Sequence, residues 1–127
     1  MTKKNYGQYS FTILGCGSSG GVPRLSDGWG SCDPQNLKNY RLRCSLLIKY
    51  NTEFGETKFL IDTSPDLRQQ LLTAHLNDLD GIIFTHAHAD HMHGIDDLRM
   101  IFFKKRSKLP IWADLKTSTR IRPVSYT

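Results

Sequence analysis

The sequence predicts an α/β fold in a single domain, and three observations carry that expectation. Short runs of β-branched, aliphatic and aromatic residues recur at Ser10–Leu14, Leu46–Tyr50, Lys58–Asp62 and Asp80–Thr85. Helical spacing of apolar residues appears between them, first at Leu67, Leu71 and Leu72, then at Ile95, Leu98 and Ile101. Strands that alternate with helices build a layered α/β domain. The 127 residues suffice for one modest core. A hydrophobic content of 39% with 23% charged residues is ordinary for a globular chain and excludes general disorder.

Each element follows from local chemistry. Ser10–Leu14 reads as a strand that stops at the glycine-rich stretch beginning with Gly15. From there to Arg43 the chain is rich in Gly, Pro, Asp, Asn and Ser without a sustained period, so residues 15–43 are expected to form one long irregular loop. Loops of that length are often functional. Leu46–Tyr50 and Lys58–Asp62 flank a turn and should pair as a hairpin. Ser64 is the expected helix N-cap and Pro65 the first helical residue, with the helix running to about His75. The apolar residues of Asp80–Thr85 are contiguous, which predicts an interior strand covered on both faces. A helix is expected to open at Met92. Leu109–Ala113, interrupted by Pro110, should be a short strand near an edge. The last dozen residues, from Lys116, show no structural period.

Other classes are set aside on composition. No run approaches the ~18 apolar residues of a membrane span. The N-terminal apolar run is too short for a signal peptide, so the expected location is cytoplasmic. Cys16, Cys32 and Cys44 are odd in number and not closely spaced, which argues against a disulfide framework. The net charge of +5 is concentrated after residue 98, where 8 Lys/Arg face only Asp114. Such a run is usually a solvated face, and nucleic acid is not the expected partner.

The chemistry concentrates in His86-Ala87-His88-Ala89-Asp90-His91, directly after the last long apolar run. Imidazole nitrogen and carboxylate oxygen suit Zn²⁺ and are acceptable to Mn²⁺. On a tight loop, residues 86–91, His86 and His88 can serve one ion while Asp90 and His91 serve a second. Two ions about 3.5–4 Å apart clamp a phosphodiester or acyl oxygen. Three of the five histidines in six residues make a metal site the favoured reading over chance. His93 is expected to be a neighbour and His75 a helix-end group.

The His-x-His-x-Asp-His pattern resembles that of the metallo-β-lactamase superfamily. Further motifs resemble its PhnP-like phosphodiesterase branch: Gly15 to Pro23, Gly30 to Pro34, Asn39-x-Arg41-x-Arg43, Leu60 to Arg68, and Gly94 to Arg99. The likeness covers roughly residues 11–115. It implies the N-terminal half of an αββα sandwich, so that residues 1–127 form one truncated domain of that type. It also implies a metal-dependent phosphodiesterase with a phosphate-ester substrate. His86 and His88 match ligands of one metal, Asp90 and His91 those of the other. Asp90 additionally matches the residue that orients the attacking water, and Asp62 an acidic support behind the metal loop. Members of the branch with a further structural zinc hold it through several cysteines in the long loop, where this chain has only Cys32. Their second half supplies further ligands, whereas no histidine follows His93 here. From Ile121 onward the likeness ends.

Gly15-x-Gly17-x-x-Gly20 also fits the dinucleotide fingerprint, but Gly21 and Pro23 preclude the helix that reading needs. The glycines are expected to shape a close turn beside the metal pocket. Arg41, Arg43 and Arg68 are candidate phosphate contacts, each more often a surface or ion-pair residue. The leading functional expectation is a metal-dependent hydrolase of the phosphodiesterase kind. The alternative is a non-catalytic remnant that self-associates through an uncovered sheet face.

Overall fold

A computed structural model describes residues 7–122 of the chain. Five strands form one mixed sheet in the order β1-β2-β3-β4-β5. β1 (Gln8–Gly15), β2 (Ser45–Thr52) and β3 (Gly55–Ile61) are an antiparallel meander, and β3 is joined in parallel to β4 (Gly81–Ile83), which pairs in parallel with β5 (Ile111–Trp112). Between the parallel strands run α1 (Leu67–Thr73) and then α2 (Ala89–Met92), a 3-10 turn (His93–Asp97) and α3 (Leu98–Lys105); α4 (Leu115–Ile121) follows β5.

The core lies on one face of the sheet. Leu47, Leu60 and Ile82 share a row across β2, β3 and β4. They pack into one buried cluster with Leu67 and Leu71 of α1, Met92, Leu98 and Ile101 of the second crossover, and Ile121 of α4. The opposite face carries a second apolar row set. Tyr9, Phe11 and Ile13 of β1 stand beside Tyr50, Ile48 and Leu46 of β2, and these beside Thr57, Phe59 and Ile61 of β3. Ile83 and Trp112 continue the layer onto β4 and β5. No described helix lies over it, and Ile83 and Trp112 are exposed. The expectation that the Asp80–Thr85 strand is covered on both sides is therefore corrected: Ile82 is buried and Ile83 is not, because all the helices pack on one side.

Three further expectations change. The first helix starts at Leu67, not Pro65, because Ser64 closes a turn ahead of it: its hydroxyl accepts from the Asp66 N–H and donates to Oε1 of Gln70 at 2.7 Å. His75 ends this helix in the left-handed region, with His75 N–H to Leu72 O and Leu76 N–H to Leu71 O, the paired bonds of a Schellman cap. The helix expected from Met92 is broken into α2, the 3-10 turn and α3. Gly94 sits so close to the Ser64 carbonyl that a Cβ there would overlap it, and its N–H donates to Thr63 O at 3.0 Å. The region from Lys116 shows no period in the sequence, yet α4 forms up to Ile121. Its N-cap is Asp114, whose carboxylate accepts from Thr117 N–H at 2.7 Å, and Thr117 and Ile121 are its buried positions. Residues 123–127 lie outside the described residues.

Between β1 and β2 the chain is irregular, as expected, apart from a 3-10 turn at Leu37–Asn39. Its start is pinned by close packing. A Cβ on Gly15 would overlap the backbone of Arg43, and Gly17 N–H donates to Leu42 O at 2.7 Å.

Candidate metal centre

The site is assembled where β3 and β4 end side by side. Asp62 follows β3 directly, and Thr85 and His86 follow β4 after Phe84. Parallel pairing thus brings the two strand ends together, with Asp62 N–H donating to Ile83 O at 2.9 Å. Thr63 then ties this end to α2. Its N–H donates to His91 O at 2.8 Å and its hydroxyl to Met92 O at 3.0 Å. Residues 86–91 are consequently not all loop: His88 O accepts from the N–H groups of His91 and Met92, closing the turn that puts Asp90 and His91 on a helix.

Asp62 is the buried hinge of the arrangement. It adopts a left-handed backbone (φ 62°), a conformation that asparagine and aspartate tolerate better than most residues, and is only 4% exposed. Its Oδ1 accepts from Thr85 N–H at 2.7 Å, and its Oδ2 accepts from Thr85 Oγ1 at 2.6 Å and lies 2.8 Å from His91 Nδ1. Ser45 donates its hydroxyl to the Asp62 carbonyl.

These contacts make Nδ1 the donor on both imidazoles. An ionised carboxylate only accepts, so the single hydroxyl proton of Thr85 goes to Asp62. Thr85 Oγ1 must then accept from His86 Nδ1, 2.9 Å away, which leaves the lone pair of His86 on Nε2. His91 donates from Nδ1 to Asp62, and its Nε2 faces Asp90 Oδ2 at 3.2 Å. A lone pair on that nitrogen would face a carboxylate oxygen unless a proton or a metal cation sits between them. The donor set therefore fits a cation. Ligand atoms of Asp62, His86 and His91 also lie within 4.8 Å of one another.

The other sequence candidates fall around this core. The rings of His86 and His91 have centroids 4.2 Å apart, and those of His86 and His88 are 4.5 Å apart, edge to face. His88 is exposed, and with His93 it lines a cavity of about 330 Å³ whose other walls include Met92 and Arg120. Arg43 is taken up by a two-pronged ion pair with Asp66 (2.7 and 3.0 Å), so it braces the loop against α1. Arg41 donates to the carbonyls of Lys38 and Tyr40. The Cys44 thiol donates to Gly17 O at 3.3 Å, and burial pushes its pKa up, with added repulsion from Cys16, Asp90 and Asp62. It stays a thiol that ties the glycine loop to β2.

Two residues went unread in the sequence. Thr85 could have been flagged, since it stands between a buried strand and the first histidine. Arg120 reaches the cavity from α4, a helix without a periodic signature.

Comparison with known proteins decides the family. A model of the β-lactamase superfamily domain matches residues 57–126. The chain belongs to the β-lactamase superfamily. The match runs past Ile121, where the sequence motifs had suggested that the likeness ends. This β-lactamase superfamily chain is 33% identical to a diphosphatase of the PhnP family of known structure, with a TM-score of 0.81 over 92% of its own length and 46% of that protein's. YhfI of Bacillus subtilis, a metallo-β-lactamase fold protein, shares the fold at a TM-score of 0.62 and 20% identity, over 94% of this chain and 43% of that one. Among curated proteins, an octanoyltransferase of Porphyromonas gingivalis is 40% identical over 87% of this chain, and a coenzyme PQQ synthesis protein B of Bradyrhizobium diazoefficiens is 33% identical over 68%. The shared stretches are 21% and 31% of those proteins. The chain therefore spans under half of these relatives and corresponds to the N-terminal portion of the metallo-β-lactamase fold, a fold of metal-dependent hydrolases. Among the described residues, no helix is long and apolar enough to cross a membrane.

Proposed function

We propose that this chain carries the first half of a metal-dependent phosphodiester hydrolase site, acting in the cytoplasm on a phosphate-ester small molecule. The observation that carries the reading is the facing pair His91 Nε2 and Asp90 Oδ2, 3.2 Å apart, with His91 Nδ1 already committed to Asp62. His86, His88, Asp90 and His91 are the residues that would hold Zn²⁺ or Mn²⁺. Bound there, the metal supplies Lewis acidity, polarising a phosphoryl oxygen and making water nucleophilic near neutral pH.

The chain's own groups set the conditions for that chemistry. Asp62 holds His91 and, through Thr85, His86 in the tautomers that present Nε2. Asp90 turns Oδ2 toward His91, and its second oxygen, Oδ1, is the acceptor for the attacking water's proton. Arg120, on the cavity beside His88, offers a cationic group to a second anionic part of the substrate. The likeness to a diphosphatase of the PhnP family supports hydrolysis of a phosphorus–oxygen bond.

The test is elemental analysis of the purified chain after Zn²⁺ or Mn²⁺ loading, with turnover of bis(4-nitrophenyl) phosphate. Metal bound in stoichiometric amount and turnover abolished in Asp90→Asn support the reading. Absence of binding and of turnover with either metal would sink it.

A further inference from the structure

The two ends of the long irregular loop meet at a pair of cysteines. Past the irregularity at Leu14, Gly15 stands opposite Ser45, and Gly17 is joined to Arg43 by a bridge of parallel sense. Cys16 and Cys44 lie between these two contacts, level with each other. Neither contact leaves slack. A Cβ on Gly15 would overlap the Arg43 carbonyl, and one on Gly17 would come 2.8 Å from the Leu42 carbonyl. Opposed residues of neighbouring strands have Cα atoms about 4.5–5.5 Å apart. A disulfide spans about 4.4–6.8 Å.

The two side chains also share a face. Ser45 points toward the helices, where its hydroxyl reaches the Asp62 carbonyl, and a Cβ on Gly15 would meet Gln70 of α1. The residue next to each points to the opposite side, the side of Leu46. The Cys44 thiol donates to Gly17 O at 3.3 Å, on the residue directly after Cys16. The charges around Cys44 agree with this placement. Burial leads in raising its pKa, and repulsion from Cys16 comes next, ahead of Asp90 and Asp62.

We infer that Cys16 and Cys44 are a redox-responsive pair, joined by a reversible disulfide when a peroxide reaches Cys16. Cys16 is the exposed member and reacts first, whereas Cys44 is half-buried and resolves. The Cys16 sulfur, as thiolate, attacks one peroxide oxygen. The S–O bond forms, the O–O bond breaks, and the departing hydroxide leaves as water with the proton that Cys16 gave up. Cys44 then attacks the Cys16 sulfur. The S–S bond forms, the S–O bond breaks, and the second hydroxide leaves with the Cys44 proton as water. Two thiols lose two electrons and the peroxide gains them. The bond takes the Cys44 donor away from Gly17 O and closes residues 16–44 into a covalent ring, across the neck of the loop. The inference rests on strand register and is independent of the hydrolase reading.

The test treats the native chain with hydrogen peroxide, alkylates it without reduction, digests it with trypsin and maps the peptides by mass. We expect the three free thiols to fall to one. The intact chain should lose two hydrogens, and peptide 5–24 should be linked to peptide 44–49. Dithiothreitol should restore all three thiols. Cys16→Ser and Cys44→Ser should each abolish the link, and Cys32→Ser should leave it in place. In Cys44→Ser a hydroxyl can still donate to Gly17 O, and circular dichroism checks that every variant is folded. A link from peptide 5–24 to peptide 25–38, which holds Cys32, would overturn the inference. So would disulfides between chains, oxidation of Cys16 to the sulfinic acid without a disulfide, or three thiols that survive the peroxide.

Discussion

Asp62 Oδ2 lies 2.8 Å from His91 Nδ1, across the join between the end of β3 and helix α2. The same oxygen receives the Thr85 hydroxyl, so one carboxylate orients two imidazoles, one directly and one through a threonine.

Asp62→Asn should therefore weaken metal binding by about 10- to 100-fold, the usual consequence of removing a ligand's outer partner. Asparagine tolerates the left-handed backbone at this position as aspartate does, so the substitution isolates the charge. Calorimetric titration with Zn²⁺ reads the change. Unaltered affinity would mean that His91 is held by packing alone.

Thr85→Val keeps shape and removes the hydroxyl. It leaves His86 Nδ1 without its acceptor and frees the other tautomer. We expect Zn²⁺ affinity to fall by about 10-fold. The His86 ring resonances in a nitrogen-15 spectrum should shift from a single tautomer to a mixture, while those of His75 stay put.

Gly94→Ala should destabilise the fold by about 1–3 kcal/mol, the range for forcing an atom into a packed interior. The added Cβ meets the backbone carbonyl of Ser64, which cannot rotate away. Urea unfolding monitored by circular dichroism gives the number. An unchanged midpoint would show that the 3-10 turn shifts freely against α1.

The cluster of Lys105 with Asp78 (3.1 Å) and the Leu79 carbonyl (2.8 Å) should give a defined pH window. For Asp78, burial opposes ionisation, but the Lys105 hydrogen bond and charge prevail and hold its pKa below the ordinary value of 3.8. The Asp78 hydrogen bond leads in holding Lys105 above 10.5. The Asp78 contribution is present above pH 3.8 and is lost as pH falls through the lowered value. The Lys105 contribution is complete below pH 10.5 and is lost as pH rises through the raised one. Lys105→Met should cost about 1 kcal/mol at neutral pH, and the difference from the native chain should shrink only at the two extremes of a thermal-denaturation series.

Much of the site could be read from order alone. His86 to His91 put four ligand-type side chains in six residues, and the structure gathers two of them, His86 and His91, with Asp62, which the family motif singles out as support. What escaped the sequence depends on contacts between distant segments. The break after Met92 arises from the Ser64 carbonyl pressing on Gly94, which no periodicity in residues 92–103 encodes. Helix α4 has three weak formers, Thr117, Ser118 and Thr119, in succession at its centre, and holds through one Asp114 cap and the burial of Thr117 and Ile121. Contiguous apolar residues in Asp80–Thr85 predict two covered faces. The pattern does record two apolar environments, but only one has helices on it here.

Among the described residues, the hydrogen bonds that aim the two imidazoles of His86 and His91 lie between Asp62 and Gly94, apart from the Ser45 hydroxyl on the Asp62 carbonyl. The aim of the two rings is thus a local property of one stretch of chain, and substitutions far from it in sequence should leave the rings' hydrogen bonds as they are.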